Sequence, residues 1–416
     1  MLIDFSHKIL CRITTIIQLM GEKLRESILK LLSEKDRSFS ELLKALSVHQ
    51  QILSRTLKGL EREKLIRLFS IPGTHPPRHI YRLQPAIPLE VLTKGGMRFP
   101  KLKIQWTKIA GDLRFPIYLE ESVYRKKRRK ISNEVESISK KIAERIAEMR
   151  AKGNITIWNG ERFRLYKFIE GRTEKEERVT LKLYFEDMMY SDFLAAKEFL
   201  DRTINWKGKR ITRRKYYLEI FDPAREIIQE IPSDFGIGVI VITKDPYLVL
   251  TRRRETLAVS PGLLHVSIHE GMARGGPRPD FNEHGKPDPY ATAIRSAKEE
   301  LNIELRKDDV EWIVFGHDPI TWEYNLFGVA QVKMSFDELL RNYMLSKDIR
   351  FEHGRSKENE LKYELVPLSF DPDKPDVILK FLLKNKRYIY DFAKAGIIFA
   401  LLNFGCEWSK VVTYFS

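Results

Sequence analysis

The stretch ATAIRSAKEELNI, Ala291–Ile303, sets two adjacent carboxylates, Glu299 and Glu300, shortly after an arginine, Arg295. On a helix, Ile294, Ala297 and Leu301 share an apolar face, and Arg295 reaches Glu299 across one turn. Clustered carboxylates hold a hard divalent cation, which neutralises phosphate oxygens and activates water. The chemistry that suits this pattern is the holding of a metal ion. Ser296 stands next to Arg295, and a hydroxyl replaces a carboxylate neither as a strong magnesium ligand nor as a base.

Several elements must position this helix. Asp288 is its expected cap and Pro289 its first residue. Upstream, FGIGVIVITKDPYLVLTRRR reads as a strand, a turn at Lys244-Asp245-Pro246 and a second strand. Gly236-Ile237-Gly238 is followed by no helix, so a dinucleotide fingerprint fails on context. SPGLLHVSIHEGM adds a short strand ending at Glu270-Gly271, and a Gly- and Pro-rich loop leads to Asp288. VEWIVFGHDP and NLFGVAQV read as later strands.

With these elements in order, the segment from about Phe235 to Val332 resembles the Nudix hydrolase superfamily. Arg295–Ile303 looks like the second half of its signature, R-E-U-x-E-E-x-G-U with U bulky and apolar, and Gly271 sits in order for the first half. The resemblance implies Glu299 and Glu300 as ligands of Mg2+ or Mn2+, with Arg295 orienting a glutamate, and these three as catalytic in an active enzyme. Gly271 and Glu323, the latter on a later loop, are expected at the ligand site. Ser296 departs from a glutamate and Asn302 from a glycine. The gap from Gly271 to Arg295 exceeds the family spacing, which leaves Asp280, Glu283 and Asp288 as candidates for the upstream acid.

A second pattern lies near the start. EKLRESILKLLSE puts Leu24, Ile28, Leu31 and Leu32 on one helix face, and SFSELLKALSV begins with a serine cap and Glu41. Ser47 is expected to cap a third helix with Ile52, Leu53, Leu57 and Leu60 inward. Gln50, Gln51, Ser54, Arg55 and Lys58 then face outward, where Gln and Arg suit base edges and Ser and Lys suit phosphates. LIRLFSIPG and RHIYRLQ form a hairpin pattern, with Arg78 and His79 placed to touch the DNA backbone. This segment resembles winged helix-turn-helix domains of prokaryotic regulators.

The chain has 416 residues and a formal charge of +16, which favours polyanionic partners, although charge-rich surfaces also carry solvated ion networks. Its two cysteines, Cys11 and Cys406, signal neither a zinc site nor a disulfide framework. No segment reads as a membrane span or a signal peptide, and a cytoplasmic location is expected. In the middle, a basic run, Arg125–Lys130, leads into a charged helix with Val135, Ile138, Ile142 and Ile146 on one stripe. That run is either a solvated face or a phosphate-tracking patch. Alternating strands and the helix SDFLAAKEFLD follow it.

The expected fold class is multidomain α+β, in five parts. These are an N-terminal helix (1–20), a winged helix-turn-helix (21–85), a middle α+β unit (96–223), a Nudix-like α/β/α sandwich (233–370) and terminal helices packing on it (371–416). The expected function is a regulator of transcription that binds double-stranded DNA and senses a nucleotide-type small molecule, with a homodimer as a further expectation. The arrangement resembles, in the opposite order, regulators of NAD metabolism that bind ADP-ribose-like effectors. The alternative is a Mg2+-dependent hydrolase of nucleoside diphosphates linked to another group.

Overall fold

The computed structural model describes residues 24–25, 27–28, 31–32, 37–62, 66–71, 78–83, 102, 104, 106–111, 115–152, 159–173, 178–253, 262–345 and 365–415. They group into two compact units, Met1–Ala86 and Ile87–Ser416. The helix expected over 1–20 lies outside the described residues.

The first unit contains β1 (Arg37–Ser38), α1 (Phe39–Leu46), α2 (Gln50–Arg62), β2 (Ile66–Ile71) and β3 (Arg78–Leu83). Ser38 and Glu41 close a capping box, with Ser38 N donating to Glu41 Oε2 at 2.7 Å. Leu53, Leu57 and Leu60 of α2 pack with Ile28, Leu32 and Leu42 in one core. β2 and β3 pair antiparallel from Ile66↔Leu83 to Ile71↔Arg78, and β1 joins β3. This is a winged helix-turn-helix arrangement.

Two details differ from expectation. Ser47 ends α1 in the left-handed region (φ 50°), its N–H bonded to Leu43 O, rather than opening the next helix. Ile52 is 55% exposed. One residue advances a helix by about 100°, so Ile52 cannot share the inward face of Leu53.

The second unit opens with β4 (Thr107–Ala110), β5 (Tyr118–Leu119), β6 (Val123–Arg125), α3 (Asn133–Ala151), β7 (Glu161–Arg172), β8 (Val179–Met189) and α4 (Tyr190–Asp201). Next come β9 (Thr203–Trp206), β10 (Lys209–Thr212), α5 (Arg213–Ile220), β11 (Asp234–Ile242), β12 (Tyr247–Arg252), β13 (Leu264–Val266) and β14 (Ile268–Gly271). Helix α6 (Pro289–Ser296) and the π turn Ala297–Leu301 that continues it, together the acidic helix, follow, then β15 (Val310–Asp318), β16 (Glu323–Gln331), α7 (Phe336–Leu345), β17 (Leu365–Ser369), α8 (Asp376–Lys384), α9 (Asp391–Asn403) and α10 (Trp408–Phe415).

One sheet runs β4-β15-β16-β11-β7-β8-β5, with the remaining strands except β9 and β10 attached along it. Its centre is the parallel pair of β11 and β16, in register from Asp234↔Glu323 to Ile242↔Gln331. β11 is buried along its whole length, which requires cover on both faces. Phe235, Ile237, Val239 and Val241 share a core with Ala293, Ala297 and Leu301 of the acidic helix. Ile240 and Ile242 share another with Phe392, Ile397 and Phe399 of α9. A Cβ at Gly238 would collide with the Phe392 ring, so this close approach of α9 depends on glycine. The layering is helix, sheet, helix.

The expected middle unit does not form a sheet of its own. β7 and β8 pair antiparallel and α4 follows them, as the alternation predicts. Yet Arg164 of β7 lies opposite Asp234 of β11, and β4 pairs with β15. Phe163, Leu165 and Phe185 join the core that contains Phe235. The apolar face of the β7–β8 hairpin must be covered, and the common core covers it. At the other end, α9 is buried from Phe392 to Asn403 and packs on β11, β13, β15 and β16. Among the described residues no helix is long and apolar enough to cross a membrane.

Candidate functional site

Asp288 Oδ1 accepts from Tyr290 N at 3.0 Å and Pro289 opens α6, as the sequence implies. After Ser296 the helix widens into a π turn, Ala297–Leu301, which carries both glutamates. Such turns are rare and collect at functional sites. Asn302 ends it in the left-handed region (φ 54°), where asparagine is tolerated next best to glycine. Its Nδ2 donates to Asn342 O at 3.0 Å. The departure from glycine at this position is thus compatible with the same backbone.

The loop before the helix places the three candidate acids differently. Ala273 N donates to Asp280 Oδ2 at 2.7 Å, and Asp280 N donates back to Ala273 O at 2.8 Å. This fold-back buries Asp280 against Arg295, whose Nε and Nη2 donate to its two carboxylate oxygens at 2.8 and 2.9 Å. Arg295 Nη1 also donates to Glu299 Oε2 at 2.7 Å. Burial disfavours the Arg295 charge, but Asp280, Glu270 and Glu299 outweigh it and hold the guanidinium protonated. Glu283 is out in solvent beside His284, and Asp288 is spent as the cap.

Gly271 ends β14, and a Cβ there would collide with the guanidinium of Arg162. Arg162 pairs with Glu270 at 3.1 Å. Glu323 opens strand β16 rather than lying on a loop, and its Oε2 accepts from Thr321 Oγ1 at 3.0 Å. Burial, with help from Asp234 and Asp318, pushes the Glu323 carboxyl up to about 8. Burial raises Asp234 to about 6 against the opposing pull of Arg162. The two acids are register partners on neighbouring strands, so the pair favours holding a proton.

In the same sheet, the rings of His265 and His269 lie 4.1 Å apart, next to Phe392. Burial keeps both imidazoles neutral. Their Nε2 atoms and Asn325 Nδ2 are buried without hydrogen-bond partners in the structure. Sequence reasoning did not find Arg162, Asp234, Glu270 or the histidines. The one local signal was Asp234, an acid at the head of an otherwise apolar strand.

As placed, the side chains of the acidic helix do not make a site for Mg2+ or Mn2+. Glu299 is held by Arg295, Asp280 is held by Arg295 and Ala273 N, and Ser296 is buried with its Oγ unpartnered. Among the described residues no three His, Cys, Asp or Glu side chains group to hold a metal. Two carboxylates with one already neutralised fall short of what a hard cation needs.

In the first unit, Gln50, Gln51, Arg55 and Lys58 are exposed on α2 and Ser54 is half-buried. With His49 they line a shallow concavity of about 610 Å³. Arg78 and His79 lie on β3 opposite Ile71 and Ser70. Their side chains are outside those described.

Residues 19–88 match the HxlR-like helix-turn-helix family. Among solved structures, the reduced transcriptional regulator YodB from B. subtilis is 22% identical, with 18% of this chain and 72% of that one covered and a TM-score of 0.15. A mutT/nudix family protein from Listeria innocua is 17% identical, with 40% and 97% covered and a TM-score of 0.22. The NUDIX domain of Shewanella oneidensis NrtR, in complex with ADP ribose, is 15% identical, with 29% and 71% covered and a TM-score of 0.19. No curated protein matches the sequence. Likenesses this distant carry no functional argument. The first unit is an HxlR-like winged helix-turn-helix by its family match, and the second is a mixed sheet covered by helices on both faces.

Proposed function

We propose that the protein is a DNA-binding regulator of transcription whose Nudix-like domain binds a nucleoside-diphosphate derivative without turning it over. The observation that carries this reading is the state of the acidic helix. Ser296 is a buried hydroxyl where hydrolysis needs a carboxylate, and Arg295 holds Glu299. What survives is a charged, ordered helix suited to recognition. On the DNA side, the polar face of α2 supplies Gln and Arg for base edges and Lys for phosphates. A ligand regulates such a protein only by binding one DNA-affinity state better than another.

The alternative, a Mg2+-dependent hydrolase, is favoured by one observation, the retention of Glu299 and Glu300 on a π turn. Product release from a panel of nucleoside-diphosphate derivatives with Mg2+ separates the two. The sensor reading expects release no faster than in Glu299→Gln and Glu300→Gln. Turnover that either substitution abolishes overturns it.

A further inference from the structure

A concavity of about 560 Å³ opens in the second unit where the chain between β6 and α3 crosses β8. Arg125, Lys127, Arg128, Arg129 and Lys130 line it, and Glu186 of β8 forms part of its wall. The basic run precedes α3 and is fixed rather than trailing. Val123–Arg125 pairs with Tyr184–Glu186, and Asp187 N donates to Lys127 O at 3.3 Å. Arg128 makes two hydrogen bonds to the buried Asp192, at 2.6 and 3.2 Å, and Arg129 donates to Gln229 Oε1. Arg125 and Arg129 both lie over the Tyr166 ring.

This anchoring holds positive charge in place before any ligand arrives, which lowers the ordering cost of binding an anion. Among the described residues neither Lys127 nor Lys130 has an acidic partner, and Glu136 at the rim is 3.5 Å from Lys140. The pocket therefore carries an excess of unsatisfied positive charge. Its volume is in the range of small-molecule sites, roughly 300–1,000 Å³.

Glu186 decides what kind of anion fits. It is 3% exposed, Oε1 lies 3.6 Å from Arg129 Nε, and Oε2 is buried with no hydrogen-bond partner. A buried carboxylate oxygen calls for a donor. A nucleic-acid backbone presents phosphate oxygens to this wall and sets like charges together. A small phosphate ester with a hydroxyl or amino group satisfies both ends. We propose that this pocket is a second ligand site, which takes the phosphate of a small metabolite on Lys127 and Lys130 and a hydroxyl or amino donor on Glu186.

The site shares no residue with the acidic helix, so it stands or falls apart from the sensor reading. The test is lysine acetylation of the full chain followed by peptide mass spectrometry, with ADP as one probe and a short DNA duplex as the other. ADP is expected to slow modification of Lys127 and Lys130 by about fivefold at saturation while Lys152 and Lys209 keep their rates. Unchanged rates at Lys127 and Lys130 overturn the proposal. Protection of these two lysines by the duplex alone overturns it as well and marks a nucleic-acid surface. Because the readout is local, ADP bound at the acidic helix alone is recognised by unprotected Lys127 and Lys130.

Discussion

Arg295 donates from Nε and Nη2 to the two oxygens of Asp280, a residue that reaches it through a loop folded back on Ala273. This fork-to-fork pair joins the loop to the acidic helix and aims the remaining Nη1 at Glu299. Removing Asp280 leaves a largely buried guanidinium with half its partners. Asp280→Ala should cost about 3 kcal/mol, the scale of a broken buried pair. Glu283→Ala, out in solvent, should stay within about 0.5 kcal/mol. Equal losses for the two in denaturant unfolding would contradict the role of Asp280 in holding Arg295.

Asn302 offers a backbone test of the same helix end. Its φ of 54° suits glycine and asparagine and strains other residues. Asn302→Gly keeps the backbone unstrained and is expected to lose only the bond to Asn342 O, about 1 kcal/mol. Asn302→Ala should lose about 1–2 kcal/mol from conformational strain, with the bond to Asn342 O lost in addition. Equal melting temperatures for the two variants would remove the conformational explanation.

The buried acids Asp234 and Glu323 predict a pH dependence. Their folded values, about 6 and about 8, lie above the ordinary 3.8 and 4.5. The folded state therefore binds their protons more tightly than the unfolded state does. The contribution to stability is full below the ordinary values and is lost as pH rises through about 6 and about 8. Unfolding midpoints measured across this window should fall in the wild type, and Glu323→Gln should flatten the upper part. A variant profile parallel to the wild type would show that Glu323 does not titrate there.

How far the sequence carried these conclusions depends on how local each signal was. The capping box at Ser38 and Glu41, the Asp288-Pro289 helix start and the Arg295–Glu299 turn are all encoded within a few residues, and all are present. Ser47 misled because a serine suits both a helix start and the left-handed residue of the preceding helix end. The membership of β7 and β8 in the main sheet depends on a shared core with Phe235, which no local pattern announces. Arg162, brought by β7 to Glu270, was invisible for the same reason. That Asp280 and neither Glu283 nor Asp288 pairs with Arg295 depends on the fold-back on Ala273, which no local pattern announces.

The DNA face proposed for α2 assigns different roles to its exposed residues. Arg55→Ala should weaken binding to the preferred sequence about tenfold and relax its discrimination at one position. Lys58→Ala should weaken all duplexes alike and reduce the salt slope by about 1. Binding titrations over a salt series distinguish them. Indifference of both variants to sequence and salt would remove α2 from the interface.

In the proposed sensor, a ligand of the Nudix-like domain changes the grip on DNA without being consumed. The direct measurement is fluorescence anisotropy of the full chain on its preferred duplex, with and without a saturating nucleoside-diphosphate derivative, while product release is followed in the same samples. The account predicts a change in DNA affinity of about fivefold or more, lost in Glu299→Gln, with the ligand intact throughout. An unchanged affinity at saturation, or a ligand hydrolysed at a rate that Glu299→Gln abolishes, would contradict it.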